Sequence, residues 1–513
     1  DLEELVGLAD VGKDYDELDD EDKPQDYDEE SDNSERKNLF REDMGHAEIC
    51  FQYMKNIVRI ICLEKGKSGG FIWEHKKKLW IRSKESQIRN MIPKILDKVV
   101  AAHMKEELDA LVKETSVTKK KEHEKTNEAL GKILKVVLRT THANNVFEQL
   151  KTKLFLENFA TKVNRDPYYL PLKGGKLIDL RTGAVRDRII TDYYDFEVPA
   201  SYIKSTYPLM NKFINDIMCD DQDLVRFMQE MLGYMLTGSI EGRCFFVFWG
   251  GGRNGKTTVI NLLNKLMGPC CTPLADAVMV ELGKTNSTGL SPHLVPLKDA
   301  RVGILSEPKS GKEHKLDQTQ IKKISGGDEI TARGLYGEMM RFHSQTKLVM
   351  LTNPKPNFDT ADIAFIDRLV FVPFNARFTP NPKEGEKKED HEFIAKLSKN
   401  LDEVFSWMVE GAIRWFTNGC NINAPEVVTA ATKTLVSELD SVELWLKACT
   451  EIEESVDTAS TELWDDYVQY CDETGAPVEK KPDWRKRMQK KFKEIAKGNP
   501  SNNPRRRGVA CWR

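Results

Sequence analysis

The stretch GGGRNGKTT, residues 250–258, constrains this chain more than any other. It fits G-x-x-x-x-G-K-[ST] through Gly250, Gly255, Lys256 and Thr257. The apolar run CFFVFW ends immediately before it, and the amphipathic TTVINLLNKLMG follows. A buried strand, a glycine-rich turn and a helix in that order belong to an α/β fold. The glycines leave room for backbone N–H groups to converge on an anion at a helix N-terminus, where the dipole favours negative charge. Gly250, Gly251, Gly252, Arg253, Asn254, Gly255, Lys256, Thr257 and Thr258 are therefore expected to cradle the phosphates of ATP. Lys256 would reach the β- and γ-phosphates, and the Thr257 hydroxyl would ligate Mg2+.

Hydrolysis needs a carboxylate at the end of a neighbouring strand. RVGILSEP supplies an apolar strand ending in Glu307, preceded by Ser306 rather than a second acid. Glu307 is thus expected to serve both the metal and the attacking water. A third strand, KLVMLTN, ends in Asn353, whose neutral amide can orient water or sense the γ-phosphate; a plain turn before Pro354 is the alternative. IDRLVFVPF places Arg368 ahead of a last strand. An arginine there can stabilise transition-state charge on a neighbour's phosphate, with Arg377 as the other donor and pairing with Asp367 as the bland role. Between these strands lies IKKISGGDEITARGLYGEMMRFHSQTK, with RGLYGEMMRFHS reading as a hairpin. Lys322, Lys323, Arg333 and Arg341 interleave with Tyr336, Phe342 and His343. Charge that tracks a backbone and rings that stack on bases suit single-stranded nucleic acid.

Charge is polarised along the 513 residues. Residues 1–35 hold 17 Asp/Glu against Lys13 and Lys23, so the net charge of −4 conceals +11 from Arg36 onward. The acidic head is too poor in apolar residues to bury and reads as a disordered tail. Residues 481–513 carry 12 Lys/Arg against Asp483 and Glu494, either a solvated terminus or a phosphate-binding footprint. No apolar run approaches 18 residues and the mean hydropathy is −0.51, which argues against a membrane-spanning helix. No signal segment follows Asp1, so an intracellular protein or a fragment is expected. The ten cysteines never adopt a zinc spacing and read as reduced, mostly buried thiols.

The expected organisation is an acidic tail (1–36), an N-terminal α+β domain (37–204), an α/β core (205–380) and a helical C-terminal domain (381–513). GGFIWEH and KKLWIRS suggest a hairpin packing Trp73 and Trp80. Residues 86–159 are helical by pattern, with KKKEHEKTNE as a turn or an exposed face. Turns at Gly174-Gly175 and Thr182-Gly183 punctuate short strands, and FTPNPKEGEKKED reads as a linker. Trp407, Trp415, Trp445 and Trp464 sit on apolar helix faces as core.

The order GRNGKTT, ILSEP, KKISGGDEITARGLY, KLVMLTNPKP and FIDRLVFVPF resembles superfamily 3 helicases. The resemblance is strongest to the poxvirus- and giant-virus-type primase-helicases and their phage and plasmid satellite relatives. It implies an AAA+-like P-loop core in a homo-hexameric ring, with ATP bound between subunits, and a winged-helix-like C-terminal part. It gives Lys256 and Thr257 the phosphate-loop roles, Glu307 the Walker B role, Asn353 the sensor role and Arg368 the arginine finger. The segment Lys322 to His343 becomes a channel hairpin gripping single-stranded DNA. The implied activity is ATP-dependent unwinding during viral DNA replication at an intracellular site, acting on forked duplex, with a primase and other replication proteins as partners. No paired-carboxylate primase signature is visible, so primase activity is expected elsewhere. A packaging or protein-remodelling motor, or a scaffold with a vestigial ATPase, is the competing reading.

Overall fold

The computed structural model describes residues 38–61, 69–281, 291–309, 314–334, 339–451, 457–474, 476, 478–492, 494–495, 505–507 and 510–511. The acidic head, Tyr336 and most of the basic terminal segment lie outside the described residues. The chain divides into two compact units: residues 1–166, 170–178 and 185–198, and residues 167–169, 179–184 and 199–513. No helix among the described residues is long and apolar enough to cross a membrane.

The first unit mixes helices with a small antiparallel sheet. Helix α1 (Glu42–Met54) is followed by strands β1 (Val58–Ile60), β2 (Gly69–Glu74) and β3 (Leu79–Lys84), paired in that order. Trp73 and Trp80 face each other across β2 and β3, ring centroids 5.6 Å apart. Both are buried, and a cross-strand aromatic pair fixes register as well as adding contact area. Helices α2 (Met91–Lys113), α3 (Val117–Val137) and α4 (Thr140–Leu154) follow. The charged run KKKEHEKTNE is an exposed face of α3, and the turn falls earlier, at 114–116. His123 Nδ1 and Glu107 Oε2, 2.6 Å apart, join α3 to α2.

Buried polar groups fasten α1 to α4. His46 and His142 are 2% and 6% exposed. The Leu39 carbonyl can only accept, so His46 Nε2 donates to it at 2.9 Å. His46 Nδ1 lies 2.8 Å from His142 Nε2, and His142 Nδ1 lies 2.8 Å from Asp43 Oδ1. Burial, assisted by His142, holds the His46 pKa below its ordinary value of 6.5 despite the opposing Leu39 carbonyl and the acids Asp43 and Glu42.

The second unit carries the large sheet. Helices α5 (Pro208–Ile217) and α6 (Gln222–Leu236) lead into strand β4 (Phe245–Trp249) and helix α7 (Lys256–Met267). Then come β5 (Cys271–Pro273), β6 (Val302–Ser306), α8 (Gln318–Gly326), the hairpin β7 (Glu329–Arg333) and β8 (Met339–His343), β9 (Lys347–Thr352) and β10 (Leu369–Pro373). Strands β10-β4-β9-β6-β5 form one parallel sheet, with the first strand between the last two. Helices cover such a sheet on both faces, so its central strands read as unbroken apolar runs, as FFVFW, VGIL and KLVMLT do.

Helix α9 (Leu401–Thr417) packs against α6. A methyl group added at Gly411 would sit 1.9 Å from the Gln229 carbonyl oxygen, and one at Gly233 would sit 2.1 Å from the Ala412 nitrogen; only hydrogen allows this approach. At the amino end of the sheet, Arg301 donates to Leu236 O (2.7 Å) and Lys347 to Thr237 O. These two buried cations satisfy carbonyls that the end of α6 leaves without partners. Complete burial drives the Lys347 ammonium far below the usual lysine range, with Arg301 adding to the shift.

Two features depart from expectation. FTPNPKEGEKKED is no spacer. Phe378–Thr379 and Lys387–Lys388 pair as short strands, Phe378 N–H donates to Arg253 O (2.8 Å), and Lys387 bridges Asp216 and Asp220. Residues 380–385 are exposed, while Lys387 ties the segment to Asp216 and Asp220. Phe342 is 6% exposed in the core beside Ile330 and Ala332, so it anchors the hairpin and is unavailable for base stacking. The cysteines agree with expectation: among the described residues Cys50, Cys244, Cys270, Cys271, Cys449 and Cys471 are buried, Cys420 is half-buried and Cys219 exposed. After α9, helices α10 (Glu426–Leu439), α11 (Ser441–Cys449), α12 (Ser460–Thr474) and α13 (Lys481–Lys491) follow. Trp445, Tyr467, Trp484 and Met488 form the last core, with Trp464 packed against it.

A buried histidine with a depressed pKa stabilises the fold above its unfolded pKa and ceases to do so as pH falls, because the unfolded chain takes up the proton first. Amide exchange in α1 should therefore be faster relative to the intrinsic rate at pH 5.5 than at pH 7.5. This difference should shrink in His46→Leu. Equal protection at both values in the unmodified chain would contradict the assignment.

Candidate nucleotide and nucleic-acid sites

The parallel sheet has a carboxyl end and an amino end, and the candidate residues separate between them. At the carboxyl end, β4 stops at Trp249 and the chain enters the glycine-rich turn. Gly252 (φ 88°), Arg253 (φ 50°) and Gly255 (φ 89°) adopt left-handed backbone. Gly255 is the N-cap of α7 without any side-chain cap, so the first-turn N–H groups are left for an anion. A Cβ at Gly255 would sit 2.5 Å from Ile217 Cγ2, besides being strained at that φ. The turn is braced from the next strand: Asn254 Nδ2 donates to Phe374 O at 3.1 Å, and Phe374 N–H to Trp249 O at 2.7 Å.

A cavity of about 640 Å³ opens above this turn. Its lining includes Arg253, Lys256, Thr257, Thr258, Glu307 and Asn353. These come from the first, third and fourth strands in chain order, the crevice where open parallel sheets place ligands. Lys256 is 6% exposed, and its ammonium donates to Gly250 O (2.7 Å) and Asn353 Oδ1 (3.1 Å). Burial lowers its pKa while Glu307 raises it. A buried cation held only by neutral oxygens, with one acid nearby, suits a polyanionic ligand.

Glu307 has φ 49°, rare for a residue with a side chain and found disproportionately at functional sites. Its N–H still donates to Leu351 O at 2.9 Å, extending the β6–β9 ladder one step past the strand. Thr257 and Glu307 both line the cavity and could hold a divalent cation against a bound phosphate. Ser306, Asn261 and Asn264 also line it. Sequence reading passed over the two asparagines, although their spacing on α7 after Thr257 places them one and two turns along the helix.

A second chamber of about 240 Å³ shares Arg253, Gly255 and Thr258 with the first. Phe213, Phe378, Phe393 and Ile394 give it apolar walls, and Asp216 and Asp390 add acceptors. Lys212 Nζ lies 4.7 Å from the Phe393 ring centroid. This chamber was missed because its walls come from α5, the supposed linker and the helix that follows it, His391–Lys399.

Arg368 is elsewhere. Its carbonyl accepts from Phe245 N–H at 2.7 Å, at the amino end of β4 and β10. Five strand residues separate that point from the turn, about 17 Å. The Arg368 guanidinium donates from Nη1 to Ala364 O at 2.5 Å, and its Nε is buried without a partner. Arg377, the other candidate, pairs with Glu386 at 3.3 Å. The hairpin also belongs to the amino end, entering β9 there. Register places Arg333 opposite Met339, Thr331 opposite Arg341 and Glu329 opposite His343, all on the exposed face. Lys323 is exposed on α8. Lys322 is not grouped with these: its ammonium pairs with Asp362 at 2.5 Å.

Residues 49–219 match the family described as D5 N terminal like, and residues 248–368 match a family of unknown function, DUF5906. A putative helicase, L207/L206 of Acanthamoeba polyphaga mimivirus, is 26% identical over 68% of this chain and 36% of its own length. Primase D5 of fowlpox virus is 26% identical over 34% of this chain and 22% of its own. Putative helicase 121R of Invertebrate iridescent virus 3 is 23% identical over 49% and 28%. The chain thus spans about a third or less of these relatives. Among solved structures, the apo NrS-1 C terminal region aligns with a TM-score of 0.39 at 11% identity, covering 67% of this chain and 84% of that one. The chain belongs to the D5-like primase-helicase family.

Proposed function

We propose that this chain is the motor part of a viral replicative DNA helicase. In this reading it hydrolyses ATP at the interfaces of a ring, a homo-hexamer, and moves single-stranded DNA through the centre to open forked duplex. The observation that carries the reading is the gathering of Lys256, Thr257, Glu307 and Asn353 around one cavity while Arg368 and the basic hairpin sit at the opposite sheet end. The distance separates Arg368 from the site of its own copy, and in this reading it serves the site of an adjoining copy. Strand order and the Gly250–Thr257 turn suit an AAA+-like P-loop core of superfamily 3, and α11 to α13 with their short strands suit a winged helix.

Binding starts from a site already charged. The triphosphate replaces Gly250 O and Asn353 Oδ1 as acceptors for Lys256, and the first-turn amides of α7 take the remaining oxygens. Mg2+ held by Thr257 and Glu307 would neutralise charge shared by the β- and γ-phosphates. Asn353, released from Lys256, is free to orient the attacking water, and Glu307 accepts a hydrogen bond from it. The second chamber receives the base between Phe378 and Phe393. Lys323, Arg333, Arg341 and His343 contact the DNA strand, with Met339 (61% exposed) beside them. A primase and other replication proteins would act with this motor at an intracellular viral replication site.

Lys256→Ala is expected to lower ATP turnover by about 10²-fold or more, as loss of a phosphate-stabilising donor does elsewhere; unchanged turnover would dismiss the turn as the ATP site. Arg368→Ala should be inactive alone yet regain partial activity when mixed with Lys256→Ala, since mixed interfaces restore one complete site. Oligomeric mixtures that stay inactive would exclude a shared site. Single-stranded DNA should raise the rate in the unmodified chain, and equal rates with and without it would favour a packaging or protein-remodelling motor. Arg341→Ala should reduce the slope of log affinity against log salt by about 0.7, one phosphate contact on a single strand. An unaltered slope would remove the hairpin face from the DNA path.

A further inference from the structure

Two crossovers of the second unit descend side by side from the carboxyl end of the sheet to the amino end. One is α8, which ends at the hairpin. The other, residues 353–367, leaves β9 beyond Asn353 and ends at Arg368. They are stitched at three levels. Leu316 N–H donates to Asn357 O at 2.8 Å. The Gln318 side chain exchanges hydrogen bonds with the Asp359 backbone, donating to its carbonyl at 2.9 Å and accepting from its N–H at 3.0 Å. Lys322 pairs with Asp362, both less than a third exposed. Gln318 and Lys322 stand four residues apart, on one face of α8.

Asp362 has a second duty. Its Oδ1 accepts from Phe365 N–H at 3.1 Å, capping the short turn Ile363–Ile366. Arg368 is held by that turn through its N–H to Phe365 O (3.0 Å) and its Nη1 to Ala364 O (2.5 Å). One carboxylate therefore holds the helix of the hairpin with one oxygen and the turn of the arginine with the other.

We propose that Lys322 and Asp362 are positioning residues that make displacement of the hairpin and presentation of Arg368 a single event. A strand engaged by one copy would thereby regulate hydrolysis in the adjoining copy. The proposal rests on the motor reading above and reassigns Lys322 from gripping DNA to transmitting its presence.

The test compares the unmodified chain with Lys322→Gln, Asp362→Asn and Lys322→Arg, measuring affinity for an oligo-dT strand and ATP turnover with and without it. Asn is a good N-cap, so Asp362→Asn removes the charge and keeps the turn. Both K322Q and D362N should bind the strand within about twofold of the unmodified chain, while stimulation by DNA falls by about tenfold. Lys322→Arg can restore the pair and should keep stimulation. A loss of strand affinity in K322Q matching that of Arg341→Ala would make Lys322 a DNA contact and overturn the proposal. So would undiminished stimulation in K322Q and D362N, or full loss in Lys322→Arg. An unmodified chain that DNA does not stimulate would instead overturn the motor reading, and this proposal with it.

Discussion

A parallel sheet has two chemically different ends, and the division of labour in this chain depends on that polarity. Every strand of β10-β4-β9-β6-β5 runs the same way, so the residues that follow β4, β6 and β9 emerge together. They are the glycine-rich turn, Glu307 and Asn353. Residues that precede strands emerge at the other end, which is where Arg368 and the hairpin lie. Under the proposed function, this arrangement would leave each site without its arginine until a second copy supplied one, and assembly would become a condition of chemistry.

The buried Lys256 shows how the carboxyl end is kept ready. An ammonium at 6% exposure costs solvation free energy that two neutral oxygens offset only in part. A bound phosphate would relieve this cost, which is what the proposed function asks of the turn. Glu307 in left-handed backbone and the uncapped start of α7 are further local costs. Surrounding structure supports them through the bracing of Asn254 against Phe374 and the ladder contact of Glu307 with Leu351.

Much of this was legible in the sequence because it is local. CFFVFW, VGILS and KLVMLTN read as strands from their apolar runs, and the Trp73–Trp80 pair followed from two aromatic segments around a short turn. The glycine spacing placed Lys256 and Thr257 without any knowledge of the sheet. What stayed hidden depends on distant partners. Alternation along β8 decides that Phe342 faces the core while Arg341 and His343 face out, but a mixed basic and aromatic run does not show which parity is inward. Lys322 and Lys323 are adjacent and chemically alike, yet Asp362, forty residues away, claims only the first. FTPNPKEGEKKED has the composition of a linker, and the partners that fix Lys387, Asp216 and Asp220, lie about 170 residues away in the sequence.

The central claim is that one copy holds the triphosphate and the next completes the site. An electron cryo-microscopy reconstruction with a slowly hydrolysed ATP analogue, Mg2+ and single-stranded DNA addresses it directly. The expected map is a ring with nucleotide density at the Gly250–Thr257 turn, the guanidinium of Arg368 from the adjoining copy at the γ-phosphate, and a strand against the hairpins in the central channel. Nucleotide bound away from that turn, or Arg368 far from any neighbouring site in a well-ordered ring, would contradict the account.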